Sequence, residues 1–267
     1  MSTNTARDPQ WTSTSYSKRA LRWEIALVLT ITFGMSGLRS LLRLIEAAAR
    51  PESLNQQEVT LNQQQSVLPW LDPLLQLTHS AALFAWGGLA LFLLLRHLPV
   101  TGDSSLPDAP PLTHWSFRCK DILHGMGLAA LIGIPGLVFY VTAVNLGLSK
   151  QVTPSGLDEN FFQLPLLVLN SWANGFAEEI LVVAWLATRM RQLRVSWVWV
   201  FVASSVLRGS YHLYQGYSAG LGNIIMGLLY LWFWKRTGRI WPLVIAHGLI
   251  DTVAFVGYAT LGGTPGL

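Results

Sequence analysis

Charge is scarce in this chain of 267 residues: only 12% are Asp, Glu, Lys or Arg, where a soluble domain usually carries about 25%. Such a sequence cannot solvate an ordinary globular surface. A single cysteine, Cys119, rules out a disulfide-stapled scaffold. The sequence also lacks an internal repeat, a Walker loop, a dinucleotide fingerprint and a Cys/His zinc pattern. Its 18 Lys and Arg outnumber 14 acidic residues and set a pI of about 9.4, but they form no single patch, so nucleic acid is not an expected partner. What the chain has instead is apolar bulk. Hydrophobic residues make up 51% and the mean hydropathy is +0.40, which excludes disorder and leaves an integral membrane protein.

Apolar stretches of roughly 20 residues, the length that crosses a bilayer, recur near Trp23–Ile45, Leu74–Leu95, Ile122–Leu146, Phe161–Thr188, Val195–Tyr214, Leu221–Trp234 and Ile240–Leu261. The expected fold is an all-α polytopic transmembrane helix bundle of about seven spans, or eight if the long fourth stretch is broken. The first stretch is no cleavable signal, because Arg39, Arg43 and Glu46 interrupt it before the Ala47-Ala48-Ala49 run. We divide the chain into a mobile tail over 1–20, N-terminal transmembrane helices over 21–150 and a C-terminal helical core over 151–267.

Basic residues set the orientation. With the N-terminus inside, Arg7, Lys18, Arg19, Arg22, Arg96, Arg118, Lys120, Arg189, Arg191, Arg194, Lys235, Arg236 and Arg239 are cytoplasmic, and only Arg50 and Lys150 lie in outside segments. The plasma membrane is the expected location, and the C-terminus is placed outside. Gly102–Pro111, with three prolines, reads as an irregular cytoplasmic loop, and the Gln-rich stretch Gln56–Gln65 as an outside loop.

Three apolar stretches hold ionisable groups, which are costly in hydrocarbon and usually mark a functional interior. Glu178 and Glu179 lie in the fourth, Arg208 and His212 in the fifth, His247 and Asp251 in the seventh. The last two pairs are spaced by four and so share a helix face. Successive glutamates point about 100° apart, so only one faces a given centre squarely. Three helices therefore offer a carboxylate, an imidazole and an imidazole–carboxylate pair to one interior, a set able to activate water and receive a developing oxyanion. Depth is uneven: at about 1.5 Å per residue, Glu178 lies roughly 16 Å from Arg189, His247 roughly 12 Å from Arg239 and His212 roughly 27 Å from Arg194. Equal depth requires Val195–Val200 to lie along the interface, strong helix tilt, or a break near Gly216–Gly222.

These residues, in this order, resemble the CPBP group: CAAX prenyl endopeptidases and bacteriocin-processing (Abi) intramembrane proteases. The pattern there is EExxxR, then FxxxH, then HxxxN/D, each on its own transmembrane helix. Here it corresponds to Glu178-Glu179, His212 and His247-x-x-x-Asp251, with Lys235-Arg-Thr-Gly-Arg-Ile-Trp-Pro-Leu preceding His247 in matching context. The resemblance covers roughly Phe161–Thr260. It implies intramembrane peptide-bond hydrolysis with Glu178 as general base, His212 positioning the water, and His247 with Asp251 receiving the oxyanion. Asp251 stands where many relatives carry asparagine and, ionised, cannot donate. The motif arginine would fall at Val183 and the motif phenylalanine at Arg208. The exchange suggests that Arg208 replaces the missing cation and pairs with Glu179, both in supporting roles.

The resemblance implies a metal-free site, with no cofactor; zinc on the carboxylates and imidazoles is the alternative. The partners expected are the lipid bilayer and a peptide or membrane-protein substrate, prenylated or not. Two other readings stay open: a non-catalytic membrane scaffold of the same fold, and a proton-linked carrier, against which stands the lack of an inverted repeat. His97 and His114 read as solvated, His79 and His124 as packing or interfacial residues. Trp197, Trp199, Trp232, Trp234 and Trp241 read as an aromatic belt, and Gly209, Gly216, Gly220, Gly222 and Gly227 as points of close helix approach.

Overall fold

The computed structural model describes residues 17–96, 115–157 and 161–261. The tail up to residue 16, His97, His114 and the loop Gly102–Pro111 lie outside the described residues. Residues 17–20, read with the tail, belong to the first helix: the Ser17 hydroxyl accepts a bond from the Ala20 amide at 3.1 Å and caps α1 (Lys18–Ile31). A 48° bend at Thr32 leads into α2 (Phe33–Ala48), so the first expected span is a bent pair. At the bend the Thr32 hydroxyl donates back to Val28 O at 2.7 Å, a contact that commonly distorts helices.

The chain continues through β1 (Glu58–Gln63), α3 (Leu71–Arg96), α4 (Cys119–Asn145), β2 (Gln151–Gly156) and α5 (Gln163–Glu178). Without a break α5 loosens into a π-helical stretch, Glu179–Trp185, and tightens again into α6 (Leu186–Gln192). Then come α7 (Trp197–Ser210), a short 3-10 turn at Leu213–Gln215, α8 (Tyr217–Thr237) and α9 (Trp241–Leu261). Among the described residues the bundle is all-α apart from the two strands.

Among the described residues, four helices are long and apolar enough to cross a membrane: α3, α4, the continuous α5–α6 rod and α9; the bent α1–α2 pair makes a fifth. The remaining two expected spans differ for physical reasons. With 14 residues, α7 covers only about 21 Å, less than the roughly 30 Å hydrocarbon core. The first half of α8, rich in Gly, Ser and Asn, dilutes its hydropathy.

Packing joins the N-terminal helices to the C-terminal ones in one core. The rod α5–α6 lies against α3 and α9, α4 against α9, α7 against α8, and α2 against α7. Ala173, Ala177 and Ile180–Ala187 pack with Leu83, Ala90 and Leu94 of α3, Val28 of α1 and Phe33 of α2. Trp234 belongs to this core with 1% exposure, so it is not part of an aromatic belt; Trp199 and Trp232 are exposed. Leu123, Met126, Leu131, Ile134 and Val138 leave an apolar outer face on α4, as lipid requires.

The two ends of the bundle differ in chemistry. At one, Arg239 pairs with Asp121, whose carboxylate raises the arginine's pKa, and Trp241 Nε1 donates to Trp115 O at 2.5 Å. Arg189, read from sequence as a cytoplasmic loop charge, is fully buried there. Its Nε donates to Glu24 Oε1 at 2.6 Å and its Nη2 to Leu93 O at 2.7 Å, tying α6 to α1 and α3. Arg191 and Lys235 flank the Trp197 ring at 5.1 and 4.7 Å. Segments flanked by basic residues thus gather at one end.

At the other end β1 and β2 form a parallel two-stranded ribbon, with Glu58 opposite Gln151 and Gln63 opposite Gly156. The stretch Gln56–Gln65 is therefore largely a strand, correcting its reading as a loop. Asn62 holds the ribbon together by donating to Pro154 O at 2.6 Å.

Candidate active site

The polar residues singled out from the sequence converge on one cluster. Glu178 ends α5 and Glu179 opens the π-helical stretch, a local widening that often marks functional sites. Glu178 is 6% exposed and Glu179 fully buried. Although successive helical residues diverge, both carboxylates enter the cluster, and each meets Arg208 of α7 and His247 of α9.

Glu179 is clamped. Its Oε1 accepts from Arg208 Nη2 at 2.7 Å and faces His247 Nδ1 at 2.7 Å. A carboxylate oxygen only accepts, so Nδ1 carries the proton. Arg208 also places Nη1 3.5 Å from Glu178 Oε2, and its guanidinium lies over the Tyr230 ring at 5.4 Å. The pairing expected from the Val183/Arg208 exchange is present, while Val183 is an apolar core residue with no exposure.

Glu178 is held differently. Its Oε2 accepts from the Tyr211 hydroxyl at 2.7 Å, with His212 Nε2 at 3.9 Å and His247 Nε2 at 4.0 Å. The two imidazoles are too distant for direct hydrogen bonds, and His212 Nε2 has no partner. Asp251 Oδ2 lies 3.7 Å from His247 Nε2 and accepts a long bond, 3.4 Å, from Asn174 Nδ2. Tyr211 is the residue that motif reading missed. The only sequence signal was a polar tip next to His212, three positions after Arg208, and its buried ring packs on Phe33 with centroids 4.7 Å apart.

His212 sits where α7 has ended. The break lies at Tyr211–Gly216, just before the Gly216–Gly222 stretch proposed for it, and His212 Nε2 reaches 3.9 Å from Glu178 despite the uneven depths counted along the sequence. The turn is anchored by its backbone. Tyr214 N donates to Ser40 Oγ of α2 at 2.7 Å, and Gln215 O accepts from Lys150 N at 3.0 Å. Gly216 has φ +124°, a value L-residues rarely adopt, and a Cβ there would come within 2.8 Å of Ser149 Cα. Close approach is needed also at Gly209 and Gly227, where α7 and α8 touch. Gly222 has only ordinary contacts.

Residues 160–253, which span this cluster, match the family model for type II CAAX prenyl endopeptidase, Rce1-like. Over this stretch, about a third of its length, the chain is similar to that family. No curated protein and no solved structure matches the chain. The matched region begins just before α5 and takes in α5 through most of α9, so every polar residue of the cluster falls inside it, including Tyr211.

Among the described residues, three donors of the matched region could hold a metal ion by distance alone: Glu178, Glu179 and His247 offer atoms within 4.8 Å of one another. Their surroundings fit a dication poorly. Arg208 is a permanent cation between the two glutamates, and the Glu179 oxygen it reaches is also shared with His247. A divalent ion there would sit beside a fixed guanidinium.

A separate apolar cavity of about 750 Å³, lined by residues including Phe117, Trp172, Phe176, Trp241 and Leu249, touches α5 and α9. At 100° per residue, Trp172 and Phe176 point away from Asn174 and Glu178, and Ile245 and Leu249 away from His247. On α5 the cavity and the polar cluster thus use opposite faces. His79 and His124 are exposed on α3 and α4, away from the cluster.

Proposed function

We propose that this protein is an intramembrane endopeptidase in which Glu178 activates the attacking water. The observation that carries the reading is the division of labour between neighbouring glutamates. Glu179 is fully buried and bonded to Arg208 and His247, while Glu178, held by Tyr211, faces the unpartnered His212 Nε2 at 3.9 Å and His247 Nε2 at 4.0 Å.

In this reading a water between Glu178 and His212 gives its proton to the Glu178 carboxylate, and its oxygen attacks the substrate carbonyl carbon. The oxyanion is received at His247 Nε2–H, the ring being doubly protonated in this reading because Nδ1 already donates to Glu179. Asp251, an acceptor, orients that imidazole rather than donating. Glu178 then returns the proton to the departing amide nitrogen as the C–N bond breaks. Tyr211 holds Glu178 in place, and Arg208 balances the pair of carboxylates. No metal is required: Arg208 supplies the positive charge. The apolar cavity gives no reason to choose a prenylated substrate over any other, because it lies on the face of α5 turned away from Glu178.

The test is a comparison of membrane proteomes from cells carrying the wild type and Glu178→Gln. The reading requires at least one membrane-associated polypeptide whose new N-terminus appears only with the wild type. Identical termini in both would remove it.

A further inference from the structure

The burial around the cluster has a direction. Toward the basic end every element is closed. On the α5–α6 rod, Glu179–Arg189 are all buried; on α7, Val200, Ser204, Ser205 and Arg208 are; on α9, Pro242–Gly248 are. Toward the ribbon end each of the same elements opens. The side chains of His212 and Asp251 are each 19% exposed, and Asn170, Asn174, Thr252, Tyr214 and Gln215 are half-buried.

Asn170, Asn174 and Glu178 are spaced by four along α5 and form one stripe that ends at the proposed base. Its outer end meets the ribbon, where Asn170 Nδ2 donates to Asn62 Oδ1 at 2.6 Å. Oδ1 of Asn170 is buried and has no partner. The ribbon's flank completes the rim: Ser149 pairs with Gly216 beside the turn that carries His212. The closed end carries the basic flanks. Of 18 Lys and Arg, Arg50 and Lys150 flank the ribbon, Arg39 and Arg43 lie on α2, and Arg208 is in the site. Arg7 lies outside the described residues, and the rest belong to segments at the closed end, which the positive-inside rule places in the cytoplasm.

We infer that the site opens at the ribbon end, on the extracytoplasmic face, and takes an extended extracytoplasmic segment of a membrane-associated polypeptide. The substrate part rests on the proteolytic reading; the direction of opening rests on burial and charge alone. Asparagine amides suit such a guest, since each offers donor and acceptor to a peptide backbone. A lipidated cytoplasmic tail would meet the sealed side.

Cys119, the only cysteine and an exposed one at the start of α4, is a built-in marker of the closed end. In intact cells a membrane-impermeant maleimide is applied to the wild type, and to Gln63→Cys and Asn174→Cys, each combined with Cys119→Ser. We expect both introduced thiols to label at least tenfold faster than Cys119, and the order to reverse in inverted vesicles. Labelling of Cys119 alone in intact cells overturns the orientation. Labelling of Gln63→Cys without Asn174→Cys, repeated with Asn170→Cys in case the first variant folds poorly, overturns the opening. None of these labelling results depends on turnover, so they stand apart from any failure of the proteolytic reading. Where Glu178-dependent cleavage is found, the new terminus should lie in an extracytoplasmic segment; a cytoplasmic one overturns the substrate class.

Discussion

Arg208 and Glu179 lie on different helices, are both fully buried, and meet at 2.7 Å between Nη2 and Oε1. The guanidinium thus comes from α7, whereas the related EExxxR pattern supplies it four residues after the second glutamate, at Val183 here. Removing one member of a buried ion pair typically costs about 3–5 kcal/mol, because the other charge is left uncompensated. Arg208→Phe should lower the melting temperature in detergent by many degrees. Adding Val183→Arg should recover much of the loss, since the new side chain starts about one turn from Glu179 and enters space vacated by Arg208. A double variant no more stable than the single one would show that the exchange is not compensatory.

The two glutamates should separate in stability and activity. Glu178→Gln keeps a side chain that still accepts from Tyr211, so its melting temperature should stay close to wild type while cleavage is lost. Glu179→Gln leaves Arg208 short of its principal partner and should lower both. Thermal melts beside cleavage assays resolve the two.

Tyr211→Phe removes one hydroxyl and keeps the ring contact with Phe33. Losing the hydrogen bond to Glu178 should cost about 1.5–3 kcal/mol, the usual range for bonds to charged groups. If that loss falls mainly on the transition state, kcat drops by about tenfold or more while KM changes little. Unchanged kcat would mean that Tyr211 serves packing alone.

Gly216→Ala should strain the turn that carries His212. The φ of +124° is unfavourable for alanine, and the added methyl meets Ser149. The expected cost is about 1–3 kcal/mol of stability, with cleavage reduced further than stability because His212 moves. Activity matching the wild type at a temperature where the variant is folded would contradict the role given to this turn.

Strong chelation should leave activity and melting temperature unchanged, since Arg208 already provides the positive charge at the glutamates. Stoichiometric zinc in purified protein, with activity lost on chelation and restored by zinc, would reverse the assignment.

Much of the cluster was legible in the sequence because membranes make polarity conspicuous. Glu178, Glu179, Arg208, His212, His247 and Asp251 each interrupt an apolar run, and spacing by four predicted which would share a face. Tyr211 escaped because a tyrosine is unremarkable in such a run, and only the fold aims its hydroxyl at Glu178. The ribbon escaped for another reason: β1 and β2 are short and polar, and each gains its partner roughly 90 residues away. The shortness of α7 and the π-helical stretch at Glu179 were likewise invisible, since apolar character continues through both and only tertiary packing ends or widens the helix. Trp234 was misread because a tryptophan near a basic cluster has the same local sequence whether it faces lipid headgroups or the core.

The measurement that bears most directly on the account is cleavage of an identified substrate by purified protein in proteoliposomes, wild type against Glu178→Gln matched for melting temperature. The account predicts a loss of at least about a thousandfold, in line with removal of a general base at the reacting water. Near-wild-type turnover by Glu178→Gln would contradict it.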